Sequence, residues 1–470
     1  MKKQICMVTV FILVCVAKGF GMSGGSALVN DFSMHVLRRK ELINTIKQEY
    51  SNKKGVVVLF AGFEDDRHVF RQESSFYYLT GIKEASTVLV MDMDGETTLY
   101  LPNCGVSRSS WIYSPVELTQ ENAKIMGIDS VTTLGQPCRG YQLHPYFAQS
   151  EYQALLERLD NEIKNGGSIF TLVPDNAHEY QQQRLVLNRI SQFILDFPQL
   201  LVDISGHVAA MRQRKDIKEI EKLYKAVEIT VMAHEAAAGV IAPDVSECEV
   251  QASIEYMFIG SYARAAFPGI VAGGKNGTIL HYTANKDTLK AGDLVVVDIG
   301  AEYDYYCADI TRTYPVSGKF TEWQKKIYNF VLETQDYIAS LARPGYWLSN
   351  KDYPEKSLNH LAKKYLQECG YGDYFIHGIG HYLGLDVHDV GDYKRPLQEG
   401  DVITIEPGIY IPEEKIGIRI EDDYWIVKDG AICLSEHLPK KPEEIEAMVQ
   451  QNVEYTKPQL VHDFVTEARS

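Results

Sequence analysis

Four carboxylates in β-prone stretches stand out in the second half of this 470-residue chain. Asp298 ends the apolar run "GDLVVVDIG" and Asp309 follows in "ADITRTYPV", whereas Glu406 lies in "DVITIEPGIYI" and Glu421 in "IGIRIEDDYWIV". Any one of them alone would be read as a structural or solvent-facing residue, because a buried charge is costly unless it is paired or binds a metal. Four on one face would repel strongly without cations. The set therefore predicts a site for two divalent metals.

The stretch "HGIGHYLGLDVH", residues 377–388, lies between the two carboxylate pairs. His377 and His381 are spaced like zinc ligands on a helix, but that protease pattern requires Glu directly after the first His. Glycines at 378 and 380 make a helix unfavourable. A metal here must therefore take its other ligands from elsewhere. Four carboxylates and one imidazole favour manganese over a thiolate-type zinc site, with cobalt and zinc left open by affinity order alone.

Two hairpins are expected to position the carboxylates. "EYDYY" can turn a hairpin that brings Asp298 and Asp309 to one face, and "IPEEK" can turn a second one. In "IGIRIEDDYWIV" the alternation of a strand places Arg419 and Glu421 on one face and three isoleucines on the other. Arg419 is therefore predicted to lie beside the carboxylates and to orient one of them. Two metals held in this way suit hydrolysis.

The rest of the chain reads as two domains of an α+β protein. Strands alternate with helical patterns in residues 34–203, which predicts an α/β domain. One long helix is predicted from residue 212 to 241, with Ile217, Ile220, Tyr224, Val227 and Val231 on its apolar face. Residues 204–450 form the second domain, which contains all of the candidate metal ligands, and residues 451–470 form a tail. The net charge of −16 argues against nucleic acid as the main partner.

The first 27 residues resemble a secretory signal. Lys2 and Lys3 precede an apolar run from Ile5 to Ala17 and the small-residue stretch "GFGMSGGSA". The run is too short to span a bilayer, so we predict export to a periplasm or medium, the alternative being a cytoplasmic protein, and no stable membrane span in the mature chain. The six cysteines beyond residue 27 are scattered without a CxxC, and most of them are expected to be small buried residues.

Five segments resemble those of the pita-bread metallopeptidases, and among them most closely aminopeptidase P. The segments are "NGTILHYT", "DIG…ADITRTYPVSGKF", "HGIGHYLGLDVHDVG", "EPGIYI" and "GIRIEDD". "FRQESSFYYLTG" resembles the family's N-terminal domain, so the similarity covers nearly all of the chain after residue 34. The resemblance implies a C-terminal pita-bread catalytic domain preceded by an α/β N-terminal domain.

The resemblance also implies roles for individual residues. The expected metal ligands are Asp298 on one metal, His381 and Glu406 on the other, and Asp309 and Glu421 bridging both. The expected catalytic and substrate residues are His281, His377, His388 and Glu406 for catalysis, with His281, His388 and Arg419 at the substrate. Phe267 stands where some family members have a tyrosine, which removes a hydroxyl and leaves the ligand set intact.

The function implied by the family is release of the first residue from peptides with proline at position two. A dipeptidase for Xaa-Pro substrates, prolidase, is the alternative within the same class. A non-catalytic peptide-binding protein of the same fold is the alternative from another class, and the presence of all five ligands disfavours it. Peptides with an Xaa-Pro N-terminus are the expected partners, and homo-oligomerisation is left open.

Overall fold

The structure, a computed structural model, describes residues 32–450 apart from residues 66, 105–107, 113–118, 139, 141–142 and 175–179. The proposed signal region and the tail at 451–470 lie outside these residues. The strands of the first half are β1 (Gly55–Phe60), β2 (Val88–Asp92), β3 (Thr97–Leu101), β4 (Ser130–Thr133), β5 (Ser168–Thr171) and β6 (Leu201–Asp203). They form one mixed sheet in the order β4-β3-β2-β1-β5-β6.

Helices cover both faces of this sheet. They are α1 (Ser33–Glu49), α2 (Ser74–Thr80), α3 (Gln120–Ile125), α4 (Gln153–Lys164) and α5 (Gln181–Ser191). Alternate residues of β1 enter different cores: Val57 packs with Leu42 of α1, whereas Val58 packs with Leu155 of α4. A strand that is buried on both faces must be continuously apolar, which accounts for the sequence "GVVVLF".

The long helix predicted from residue 212 is two helices. The structure has α6 (Ser205–Gln213) and α7 (Ile217–Val240). Asp216 caps α7 by accepting from the backbone N–H groups of Lys218 and Glu219, and Glu219 bonds back to the Asp216 N–H. This capping box fixes a helix start that the apolar periodicity did not reveal. The predicted apolar face was also wrong in part, because Ile217 and Tyr224 are exposed.

The second half contains small, mostly antiparallel sheets surrounded by helices. Its strands are β7 (Arg264–Ala265), β8 (Ile270–Gly273), β9 (Leu294–Ile299), β10 (Ala301–Tyr303), β11 (Tyr306–Cys307), β12 (Ile310–Pro315), β13 (Val402–Ile405), β14 (Gly408–Ile411), β15 (Ile416–Arg419), β16 (Asp422–Val427) and β17 (Gly430–Cys433). They pair in the orders β12-β9-β8, β11-β10-β7, β13-β16-β17 and β14-β15.

The helices of this half are α7, α8 (Glu247–Gly260), α9 (Glu322–Leu341), α10 (Leu358–Glu368) and α11 (Pro442–Gln450). They share one apolar core with the strands, in which Val295 of β9, Ile327 of α9 and Ile418 of β15 are fully buried. Within the described residues, no helix has the length and apolar character that a bilayer span requires. Polar residues of these strands that do not enter the core, such as Asp298 of β9 and Arg419 of β15, line a cavity.

Candidate active site

The first predicted hairpin is present and carries two of the carboxylates. Strands β9 and β12 pair antiparallel, with Thr311 directly opposite Asp298. Asp309 precedes β12 by one residue and shares the face of Thr311, two positions away. Asp298 and Asp309 are both buried on this side of the hairpin. A pair of neighbouring buried acids is costly as two anions, so at least one of them must be neutralised.

The second predicted hairpin is also present and carries the other two carboxylates, Glu406 and Glu421. Strands β14 and β15 pair antiparallel around a turn at 412–415, Glu406 precedes β14 by two residues and Glu421 follows β15 by two residues. A β-bridge between Thr311 and Glu421 joins the two hairpins. The Thr311 hydroxyl donates to Glu421 Oε2 at 2.7 Å. The predicted alternation is confirmed, because Ile416 and Ile418 enter the apolar core whereas Arg419 and Glu421 line the cavity.

The histidine-rich stretch is irregular, as its glycines predicted, and it lies against β13. Thr404 N–H donates to the His381 carbonyl at 2.9 Å. A Cβ on Gly380 would collide with the Thr404 carbonyl, so only glycine permits this approach. His381 Nδ1 lies 3.0 Å from the Tyr382 carbonyl and therefore carries the proton. Its Nε2 is then free to accept, and it faces Asp309 Oδ2 at 3.4 Å.

All nine predicted site residues border one cavity of about 650 Å³. They are Asp298, Asp309, His381, Glu406, Glu421, His281, His377, His388 and Arg419. Phe267, Pro268, Ile270 and Leu280 add an apolar side to the wall. The cavity therefore combines a carboxylate-rich floor with apolar surface, which is the combination that binding sites for small organic groups use.

Burial and mutual repulsion make the charged forms of these carboxylates unfavourable and raise their pKa values. Burial, with repulsion from Asp298, raises the pKa of Asp309 well above its usual range, and burial with repulsion from Asp309 does the same for Glu421. Burial raises the pKa of Glu406 to about 7. Asp298 Oδ1 is buried and has no hydrogen-bond partner. Each of these features is what a cation would relieve.

The donor set fits divalent metal ions. Asp309, His381 and Glu421 each offer one ligand atom, and these atoms lie within 4.8 Å of one another. Asp298 and Glu406 border the same space, with Glu406 Oε1 at 3.7 Å from His381 Nε2. Carboxylate oxygens and one neutral imidazole nitrogen are ligands for hard or borderline divalent ions. Asp298 Oδ1, which has no hydrogen-bond partner in the protein, is one more oxygen atom available as a metal ligand.

An arginine and two hydroxyls orient this set. Arg419 donates from Nη2 to Asp298 Oδ2 at 2.6 Å and from Nε to the Thr311 hydroxyl at 3.1 Å. Its Nη1 donates to the Tyr410 hydroxyl at 2.8 Å. The sequence placed Arg419 correctly beside the carboxylates. It gave no role to Thr311, although the strand register puts Thr311 opposite Asp298.

The three other predicted histidines border the same cavity but lie outside the group formed by Asp309, His381 and Glu421. His281 and His388 are exposed on its wall. His377 Nε2 lies 2.9 Å from the Tyr410 hydroxyl, and burial together with the Arg419 charge lowers the pKa of His377 to about 4. His377 is therefore neutral at physiological pH. By contrast, His234 is fully buried between the Tyr314 hydroxyl and the Ile310 carbonyl, which is a structural role.

The loop that carries His388 is tied to the first half of the chain. Arg212 of α6 donates to Asp386 Oδ2 at 2.7 Å and to Asp389 Oδ1 at 2.5 Å, on either side of His388. Lys215 adds a contact to Asp389 at 3.0 Å and Ser74 of α2 one to Asp386 at 2.7 Å. The backbone on both sides of His388 is thus held by ion pairs, of which those to Asp389 are fully buried.

Comparison with known proteins agrees with this geometry. Residues 221–428 match the profile of metallopeptidase family M24, and residues 35–137 match that of the aminopeptidase P N-terminal domain. The Xaa-Pro aminopeptidase of Escherichia coli is 35% identical over 414 residues, covering 82% of this chain and 90% of its own. Human Xaa-Pro aminopeptidase 3 is 31% identical and covers 89% of this chain and 86% of its own. The chain therefore belongs to metallopeptidase family M24.

Within that family the whole-length similarity is to aminopeptidase P. The solved structure of proline aminopeptidase P II from Yersinia pestis is 30% identical, with a TM-score of 0.74, and the match covers 90% of this chain and 100% of that chain. This confirms the predicted fold, in which an α/β N-terminal domain precedes a pita-bread catalytic domain along the chain. The Xaa-Pro dipeptidase of Pyrococcus furiosus is 42% identical over only 238 residues, which is 50% of this chain and 66% of that protein.

Proposed function

We propose that this chain is a dinuclear-metal Xaa-Pro aminopeptidase, which hydrolyses the bond before a proline at position two of a peptide. The observation that carries the proposal is the single cavity bordered by all five predicted ligands, three further histidines and Arg419. The whole-length similarity to Xaa-Pro aminopeptidases supports it over a dipeptidase, whose similarity covers half of this chain. Five ligand-type residues in place argue against a binding protein without activity.

The proposed ligands are Asp298 on one ion, His381 and Glu406 on the other, and Asp309 and Glu421 on both. Manganese is the proposed ion, because four of the five donors are carboxylates. Two such ions, when bound, activate water and polarise the carbonyl that is attacked. Arg419 and Thr311 hold Asp298 and Glu421 in orientation, since both make direct hydrogen bonds to these carboxylates.

The remaining residues act on the peptide. His281 and His388 stand on the open wall of the cavity, where their ring nitrogens can donate to the substrate backbone and to charge that develops in the transition state. Neutral His377, fixed by Tyr410, borders the same space. Glu406, which borders the same cavity, is the proposed group for proton transfer. The apolar wall at Phe267 and Ile270 suits a proline ring.

We expect faster release of the first residue from an Xaa-Pro-Yaa peptide than from the matching Xaa-Ala-Yaa peptide and from the Xaa-Pro dipeptide. Losing the ring methylenes from an apolar pocket costs about 1–3 kcal/mol, roughly tenfold to two-hundredfold in kcat/KM. The three peptides are assayed side by side with added manganese. Preference for the dipeptide would assign prolidase activity, and no cleavage of any of them would favour the binding protein.

We also expect close to two manganese ions per chain by elemental analysis of the reconstituted protein. Asp309→Asn should lower the occupancy of both ions, because Asp309 is the proposed bridge and its amide is a weaker ligand. Asp352→Asn, at an exposed acid outside the cavity, is the matched control and should bind as the wild type does. Full occupancy in Asp309→Asn would contradict the bridging role.

A further inference from the structure

Two cysteines far apart in sequence meet at one end of the N-terminal sheet. Strands β3 and β4 are parallel neighbours, with Leu101 opposite Thr133, and the chain continues past them to Cys104 and Cys138. Beyond the strands, Cys138 N–H donates to the Asn103 carbonyl at 2.7 Å. The Asn103 side chain donates to the Gly135 carbonyl at 3.3 Å. The two segments therefore stay side by side where the cysteines lie.

The thiols of Cys104 and Cys138 lie in these two adjacent segments, and both residues are half-buried and neither is in a disulfide. The interaction with the other thiol is the largest influence on each of them, raising the pKa of Cys104 and lowering the pKa of Cys138. We therefore take Cys138 as the sulfur that ionises first. The expectation that most of the six cysteines are small buried residues is wrong, because Cys307 alone among them is buried.

We propose that Cys104 and Cys138 form a dithiol site that small-molecule disulfides oxidise to an intramolecular disulfide. The Cys138 thiolate attacks one sulfur of the external disulfide and displaces its partner as a thiolate. The Cys104 thiol then loses its proton, attacks Cys138 Sγ and displaces the second external thiolate. One external disulfide is reduced to two thiols while the two cysteine thiols become one disulfide.

The bond would secure the edge of the sheet. Strand β4 is the edge strand, and three of its four residues are exposed. A bridge between Cys104 and Cys138 would close a loop that contains β4 and so limit its local opening. Neither cysteine borders the catalytic cavity, so peptidase activity should be the same in the oxidised and reduced forms.

Peptide mapping of the native full-length chain tests this proposal. The protein is incubated with oxidised glutathione, remaining thiols are blocked with iodoacetamide, and tryptic peptides are analysed by mass spectrometry. The expected product is a cross-linked peptide pair containing Cys104 and Cys138 with two hydrogens lost. Recovery of both cysteines in the alkylated form, or as two separate glutathione adducts, would overturn the proposal.

Variants separate the pair from general thiol reactivity. In Cys104→Ser, Cys138 should accumulate as a glutathione adduct, because the resolving thiol is gone. Cys248→Ser removes an exposed cysteine elsewhere and should cross-link as the wild type does. Hydrogen exchange of residues 130–133 should be slower in the oxidised wild type than in the reduced one and unchanged by oxidant in Cys104→Ser. Equal exchange in both forms of the wild type would refute the stabilisation of β4.

Discussion

At the scale of single residues, the neighbouring histidines His381 and His388 have different proposed roles. The rings of His381 and His388 are 4.2 Å apart between centroids, yet only His381 Nε2 faces carboxylate oxygens. We expect His388→Ala to retain both metals and to lose about 10²–10³ in kcat, because a group that donates to the transition state acts on the substrate and not on the ions. Metal content and peptide kinetics of the same preparation check this.

The control for that substitution is His437→Ala, which removes an exposed histidine outside the cavity. It should leave both metal content and kcat unchanged. Loss of metal from His388→Ala with the fold retained would show that His388 is a ligand.

At the scale of elements, helix α6 positions the loop of residues 383–390. The Arg212 guanidinium is buried and bonds carboxylates on both sides of His388. We expect Arg212→Ala to lower kcat by about tenfold to a hundredfold with metals retained, because a displacement of about 1 Å in a catalytic group can cost that much. Arg212→Lys should recover part of the loss, since it keeps the charge.

Kinetics, metal analysis and circular dichroism of both variants decide the matter. Arg158→Ala, which removes two partly exposed ion pairs made by α4, is the control and should behave as the wild type. Wild-type kcat in a folded Arg212→Ala protein would show that the ion pairs do not position His388.

At the scale of the whole molecule, buried charges join the two halves. Arg38 of α1 bonds Asp216 at 2.7 Å and Glu219 at 2.9 Å at the start of α7. His35, one turn earlier, is buried with Nδ1 at 2.9 Å from the Tyr78 carbonyl. Burial, together with the charges of Arg38 and Lys222, lowers the pKa of His35 to about 4.

This histidine makes stability depend on pH. Its folded-state pKa lies below the unfolded value near 6.5, so below that pH the unfolded chain binds the extra proton and stability falls until about pH 4. We expect the wild type to lose about 2 kcal/mol more than His35→Gln between pH 7.5 and pH 5. Urea denaturation at both pH values measures the difference, with His437→Gln as the control. Parallel pH dependence in wild type and His35→Gln would contradict it.

The sequence by itself determined what depends on near neighbours in the chain. Alternation along the strands predicted which faces of the two hairpins carry Arg419 and Glu421, and glycines predicted an irregular loop around His381. These features follow from the two-residue period of a strand and from the backbone freedom of glycine. The family motifs added the five proposed ligands, and the structure brings all five residues to one cavity.

Only the tertiary structure decided which distant groups meet. Thr311 bonds Glu421 across 110 positions, Arg212 bonds Asp389 across 177, and Cys104 reaches Cys138 through the pairing of β3 and β4. No local pattern marks such contacts, because they depend on how whole elements pack. Even the start of α7 was set by a cap and not by apolar periodicity. Packing geometry, which one-dimensional spacing does not encode, decides which polar side chains support the site.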